Sequence, residues 1–202
     1  HNNKLEVVWT VVPTIILTVF IIFGLKTWDE AMNVDVTDST KIIEVYGQQF
    51  KWDARYSGND NILGKANYKL VKDKNIFGVD TLDINFADDK MTREVHLVID
   101  QPVLLKFRSQ DVIHSAFLPH FRVQMNCVPG ITTQFGFTPT KTTSQMKKTE
   151  GDDFEYILLC NKICGASHWN MQMKFIVETQ EEFDIWFDSK QNLENKLLTK
   201  KE

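Results

Sequence analysis

Residues 7–25, VVWTVVPTIILTVFIIFGL, carry no charge, and no other stretch of this 202-residue chain restricts its folding so narrowly. At about 1.5 Å of rise per residue a helix of that length spans about 28 Å, close to the roughly 30 Å hydrocarbon thickness of a bilayer. A backbone in hydrocarbon has no water to bond, so the run is predicted to be a transmembrane helix. The apolar core of a secretory signal is shorter, and Lys4 and Trp28 flank the run as interfacial anchors do. Pro13 lies near one membrane end, where neighbouring groups can make good its missing hydrogen bond. One lysine on each side leaves the orientation undecided by charge. Glu6, at the mouth of the helix, has two readings: an ionisable functional group near membrane depth, or a helix-start acid in the headgroup region.

Beyond Trp28 the hydrophobic period turns from helical to alternating. Lys41–Tyr46 reads as a strand, and Glu94–Ile99 alternates so that Val95, Leu97 and Ile99 face inward and His96 faces the surface. Val103–Phe107, Thr133–Phe137, Phe154–Leu159 and Met173–Val177 add short strands at the spacing of an all-β sandwich or barrel. The polar stretch from Ser57 to Lys90 reads as a solvated excursion of loops. Thr179 and Glu182 form a capping box ahead of Phe183, Trp186 and Phe187, which predicts an amphipathic C-terminal helix. A hydrophobic content of 43% with 25% charged residues describes a folded domain. The net charge of -4 gives no support to nucleic-acid binding and favours a basic partner.

The chemistry concentrates in Cys160-Asn-Lys-Ile-Cys164-Gly-Ala-Ser-His168-Trp-Asn-Met171, where two thiols, an imidazole and a thioether share one segment. Such soft donors favour copper over magnesium, calcium or manganese, and the thioether argues against a structural zinc site closed by Cys and His alone. Two thiols four residues apart can turn inward on one tight loop and bridge two ions. A second histidine must come from elsewhere, and Asp111-Val-Ile-His114-Ser115 offers one.

The D-V-I-H-S segment followed by C-x-x-x-C-G-x-x-H-x-x-M resembles the CuA domain of cytochrome c oxidase subunit II. Leu5–Pro13 is similar to the start of that family's second transmembrane helix, and Val128-Pro-Gly130 to its central turn. The resemblance implies a mainly β, cupredoxin-like Greek-key sandwich or barrel preceded by a transmembrane helix. It divides the chain into a helix over 1–29, a CuA domain over 30–178 with a polar insertion at about 57–90, and a C-terminal amphipathic helix over 179–202. It also implies a first membrane helix ahead of this segment, and hence a multi-pass subunit in a bacterial inner membrane with the copper domain on the outer, periplasmic face. By the same resemblance Cys160 and Cys164 bridge two copper ions, His114 and Met171 complete one, and His168 and the Lys162 backbone carbonyl complete the other. Cytochrome c would donate electrons, and haem in subunit I would receive them and reduce oxygen to water. Subunit III and membrane lipid are the further implied partners. Glu6 matches the position of a glutamate that lies at a proton-uptake channel in many of these oxidases.

Several residues depart from the family pattern. Gly47-Gln-Gln-Phe50-Lys-Trp52 stands where Gly-His-Gln-Trp-Tyr-Trp is common, so Phe50 replaces the tryptophan through which electrons usually enter and Trp52 keeps the second aromatic place. Lys162 stands where a glutamate helps bind magnesium, which weighs against that magnesium site. Cys127 reads as a buried small hydrophobe, and His120 matches no ligand position. A membrane-anchored copper chaperone or thiol oxidoreductase is the alternative in another class. It calls for a thioredoxin-like alternation of strands and helices, where this chain runs strand after strand. The CuA module of nitrous oxide reductase calls for a large further catalytic domain.

Overall fold

In the computed structural model, residues 2–32 and 36–198 are described. Helix α1 (Asn3–Met32) is long and apolar enough to cross a membrane, and it contains Pro13. It falls in one compact unit, and the described residues 36–198 fall in a second.

The second unit is a sandwich of two sheets, each five-stranded among the described residues. Its strands are β1 (Lys41–Gln48), β2 (Lys51–Tyr56), β3 (Lys90–Thr92), β4 (Glu94–Val98), β5 (Val103–Ser109), β6 (His114–Leu118), β7 (Val123–Cys127), β8 (Thr133–Phe137), β9 (Tyr156–Cys160) and β10 (Gln172–Glu178). One sheet runs β3-β2-β1-β5-β8 and the other β4-β10-β9-β6-β7. Pairing is parallel between β1 and β5 and between β4 and β10, and antiparallel elsewhere. The mainly β expectation is met. Ile43, Val45, Val95, Leu97, Leu105, Phe107, Leu158 and Phe175 meet in the core, and such alternation selects a sandwich because each strand hides every second side chain.

Four strands that the alternation did not reveal are β2, β3, β6 and β7, the last two with the sequences HSAFL and VQMNC. His114 and Ser115 are as buried as the apolar residues beside them, so polar character does not mark the outer face there. A short helix, α2 (Thr143–Glu150), was also not anticipated, although Thr142 and Gln145 form a capping box at its start.

The stretch from Ser57 to Lys90 is made of loops and short 3-10 turns up to the start of β3, largely exposed or half-buried, but it is not wholly solvated. It folds back on the sheet and buries Phe77, Val79 and Phe86 against Tyr46 and Leu193. A buried ion network fastens it. Arg55 donates to Glu44 at 2.6 Å, to Asp89 at 2.7 Å and to the Gly64 carbonyl at 2.9 Å, while Arg108 donates to Glu44 at 2.6 Å. Burial works against the Glu44 charge, but the two guanidinium groups hold its carboxyl below the ordinary range. Removing one partner of such a buried pair costs about 3–5 kcal/mol, because it leaves an uncompensated charge.

The predicted C-terminal helix forms as two pieces, α3 (Gln180–Asp188) and α4 (Leu193–Leu198); residues 199–202 lie outside the described residues. The capping box is present: the Glu182 amide donates to the Thr179 hydroxyl and the Glu182 carboxylate accepts from the Thr179 amide at 2.9 Å. Phe183 and Phe187 bury against the sandwich, each stabilising by about 1.5–3 kcal/mol. This packing overturns the surface reading of His96. Its ring stacks on Trp186 at 3.9 Å, its Nδ1 lies 2.6 Å from Glu178, and only 6% of the residue is exposed. Alternation does place His96 opposite Val95 and Leu97, but α3 covers that face, and a period of two cannot reveal a covering helix.

Candidate metal centre

Antiparallel pairing of β6 with β9 sets Ala116 opposite Cys160, and pairing of β6 with β7 sets His114 opposite Cys127. His114 therefore enters the sheet beside the strand that ends in Cys160, although the two are far apart in sequence. The β9–β10 loop then folds over this end. Its base is closed by the Cys160 amide donating to the Met171 carbonyl at 3.1 Å, and it is tied to β6 by the Asn161 amide donating to the Ser115 carbonyl at 2.9 Å. A short 3-10 turn, His168–Asn170, turns Met171 inward.

The result is a chain of soft donors. Cys160 Sγ lies 3.8 Å from His114 Nδ1 and 3.8 Å from Cys164 Sγ; Cys164 Sγ lies 3.7 Å from His168 Nδ1 and 3.7 Å from Met171 Sδ. The Lys162 carbonyl accepts from Cys160 Sγ at 3.2 Å, and the Lys162 residue is exposed. His114, Cys160, Cys164 and Met171 are buried, and His168 is half-buried. Burial and the neighbouring Cys160 push the Cys164 thiol up to about 11. A cation beside the sulfur would favour the Cys164 thiolate against that burial.

The donors fit such an ion. With metal–sulfur and metal–nitrogen bonds of about 2.3 Å and 2.0–2.1 Å, sulfurs on one ion lie within about 4.6 Å and a nitrogen within about 4.4 Å of the sulfur. The observed separations of 3.7–3.8 Å satisfy both limits. Two thiols, two imidazoles and a thioether are the donor types that select copper among the common ions.

Asp111 sets the orientation of His114. Its carboxylate lies 2.9 Å from His114 Nε2 and accepts from the Gln49 and Val112 amides at 2.7 Å each. Burial works against the Asp111 charge, but these amides and the His114 ring hold its carboxyl below the ordinary range. With Nε2–H donating to Asp111, the Nδ1 lone pair faces Cys160. Asp111 was legible only as part of the D-V-I-H-S segment. Its place three residues before the histidine is the one local signal of its role.

The other sequence candidates divide. Phe50 is half-buried, with its ring against Gly165 of the ligand loop. Trp52 is 2% exposed and meets the His114 ring edge-on at 5.7 Å, which places it behind the histidine and away from any docking partner. Two loop residues that sequence reasoning passed over, Ile163 and Trp169, are 88% and 82% exposed. Glu6 lies in the first turn of α1. His120 packs on Phe154 and Tyr156 and is not among the clustered donors. Cys127 is fully buried, and burial pushes its thiol up to about 12.

Residues 41–180 match the family model described as cytochrome c oxidase subunit II, periplasmic domain. The chain is 31% identical over 190 residues to an alternative cytochrome c oxidase subunit 2 of Bradyrhizobium diazoefficiens, covering 93% of this chain and 64% of the relative. It is 26% identical over 204 residues to a cytochrome c oxidase subunit 2 of Synechocystis, covering 92% and 57%. The chain thus spans less than two thirds of either relative's length. Among solved structures, the periplasmic domain of subunit II of cytochrome oxidase (CoxB) of Bradyrhizobium japonicum superposes with a TM-score of 0.51 at 23% identity, covering 78% of this chain and 96% of that one. That likeness supports the sandwich fold. With the family model matched along the whole β domain, this chain belongs to the cytochrome c oxidase subunit II family.

Proposed function

We propose that the chain is the electron-transfer subunit of a membrane-bound, proton-pumping cytochrome c oxidase and holds a pair of copper ions. The observation that carries this reading is the thiol pair 3.8 Å apart with one imidazole against each sulfur. Cys160 and Cys164 would bridge both ions, with His114 and Met171 on one and His168 and the Lys162 carbonyl on the other. When bound, the copper pair supplies a one-electron acceptor that cytochrome c can reduce and that haem in subunit I can oxidise, for reduction of oxygen to water. The protein's own task is to hold the ligands still. Strand β9, strand β6 and the Asp111 bond fix the donors before a charge arrives, and burial of four ligands keeps water from the sulfurs.

Phe50, against Gly165, and Trp52, behind His114, are the aromatic groups assigned to carry electrons in. Glu6 is assigned to proton uptake at the opposite end of α1 from the point where the chain continues into the β domain. Lys162 puts an exposed cation where a magnesium-binding glutamate would stand, so no magnesium is assigned. Subunit III and lipid complete the assembly, with the β domain outside a bacterial inner membrane.

Copper analysis beside the absorption and electron paramagnetic resonance spectra tests the reading. Two coppers per chain with a delocalised mixed-valence spectrum are expected. A single copper of blue mononuclear character would refute it.

A further inference from the structure

The proposed ligands come from two separate segments, the start of β6 with the loop before it and the end of β9 with the loop after it, and the two-residue turn between β1 and β2 touches both loops. The last register pair of those strands is Gln48 with Lys51, so Gln49 and Phe50 form the turn. The Gln49 amide donates to Asp111, the residue that orients His114, at 2.7 Å. The Gln49 side chain donates from Nε2 to the Cys164 carbonyl at 2.5 Å. Beside it, Phe50 occupies the space over Gly165: a Cβ there would come within 2.7 Å of Phe50 Cε1 and 2.8 Å of Gln49 Nε2. Gly165 has φ +145, so its backbone conformation and its missing side chain both suit this close approach. Cys160 has its own supports, the end of β9 and the Asn161 bond to Ser115. Cys164 lies beyond the strand, and its carbonyl is held from the hairpin.

We infer that Gln49 is a positioning residue that keeps Cys164 at its separation from Cys160 and in step with His114. The inference rests on reading Cys160 and Cys164 as a metal-binding pair. Its physical content is that one residue couples the two segments, by its backbone amide to Asp111 and by its side chain to the Cys164 carbonyl, so that removing the side-chain donor frees the second sulfur while leaving the first in place.

The test uses the full chain in detergent micelles, comparing wild type, Gln49→Met and Gln48→Met. Methionine preserves length and removes the amide donor. Gln48 is the control because its bond, to Asp53 at 2.9 Å, belongs to the same hairpin but reaches neither loop. With copper bound, release to excess chelator is expected to speed up several-fold, towards the roughly tenfold that one lost hydrogen bond allows. Without copper, oxidised glutathione converts the two thiols to a disulfide. The protein loses two electrons and two protons, and each glutathione disulfide consumed yields two molecules of glutathione. The sulfurs must close from 3.8 Å to about 2.05 Å, so the freed loop in Gln49→Met should close several-fold faster.

Unchanged rates in both measurements would overturn the inference. So would equal acceleration in Gln48→Met, which would mean that the whole hairpin had loosened. If Gln49→Met fails to fold, Gln49→Asn, whose amide sits one methylene short, must release copper faster than wild type, and a wild-type rate again overturns the inference. A wild-type chain that takes up no copper pair, with disulfide closure still accelerated in Gln49→Met, would sink the proposed function and leave the positioning role standing.

Discussion

Replacing Asp111 with alanine should weaken copper binding without dismantling the fold. Three contacts vanish together: the bond to His114 Nε2 at 2.9 Å and those from the Gln49 and Val112 amides at 2.7 Å. The His114 side chain is completely buried, so its Nε2–H loses its partner in a place where a substitute is scarce. Leaving a buried donor unsatisfied costs about 1–3 kcal/mol, and loss of a hydrogen bond behind a metal-bound histidine typically lowers affinity by about 10- to 100-fold. The Asp111 side chain is itself 32% exposed, so water can follow it out and serve part of the need. The lower end applies, about tenfold, equivalent to about 1.4 kcal/mol. Asp111→Asn retains one oxygen, which can still accept from His114 and Val112, and should lose less. Competition titration against a copper chelator measures the affinity, and thermal unfolding of the copper-free chain reports the fold. An Asp111→Ala affinity within twofold of wild type, with the fold intact, would refute the view that this carboxylate orients His114.

The ligands should not be equivalent. Met171→Leu is expected to retain both coppers and shift the reduction potential, because a thioether tunes a copper site more than it holds it; Cys160→Ser should abolish the paired spectrum, and equal loss of copper in both variants would contradict this ranking. Stopped-flow reduction by cytochrome c should be fastest at low salt, where the Debye length is about 30 Å at 0.01 M against roughly 8 Å at 0.15 M, and Phe50→Leu should slow it; an unchanged rate at every salt concentration would count against entry at Phe50. Trp52→Leu, lying behind His114, should disturb the copper spectrum as well as the rate, and a rate loss with an unaltered spectrum would count against that placement. In an assembled oxidase, Glu6→Gln is expected to slow turnover while copper reduction by cytochrome c stays near wild type; equally slowed copper reduction would speak against proton uptake there, and unchanged turnover would favour the headgroup reading.

The ligand loop was legible because its chemistry is local. Cys160, Cys164, His168 and Met171 fall within one turn of chain, so their spacing alone brings the donors close. The apolar helix was legible for a similar reason, since length and the absence of charge are properties of the run itself. Strand alternation carried the sandwich, because burying every second residue leaves a period of two wherever one face stays wet. It failed where both faces are covered. His96 lies under α3, and Glu44 is buried with two arginines to balance its charge. Phe77, Val79 and Phe86 show no period amid polar neighbours, so only the hydrophobic surface around Tyr46 made them a second core. The placement of His114 beside Cys160, the burial of Trp52 and the bridging reach of Gln49 also belong to the tertiary structure. Strand pairing and hairpin docking bring those groups together across long sequence separations, and such pairings are a choice of the whole chain that no local spacing contains.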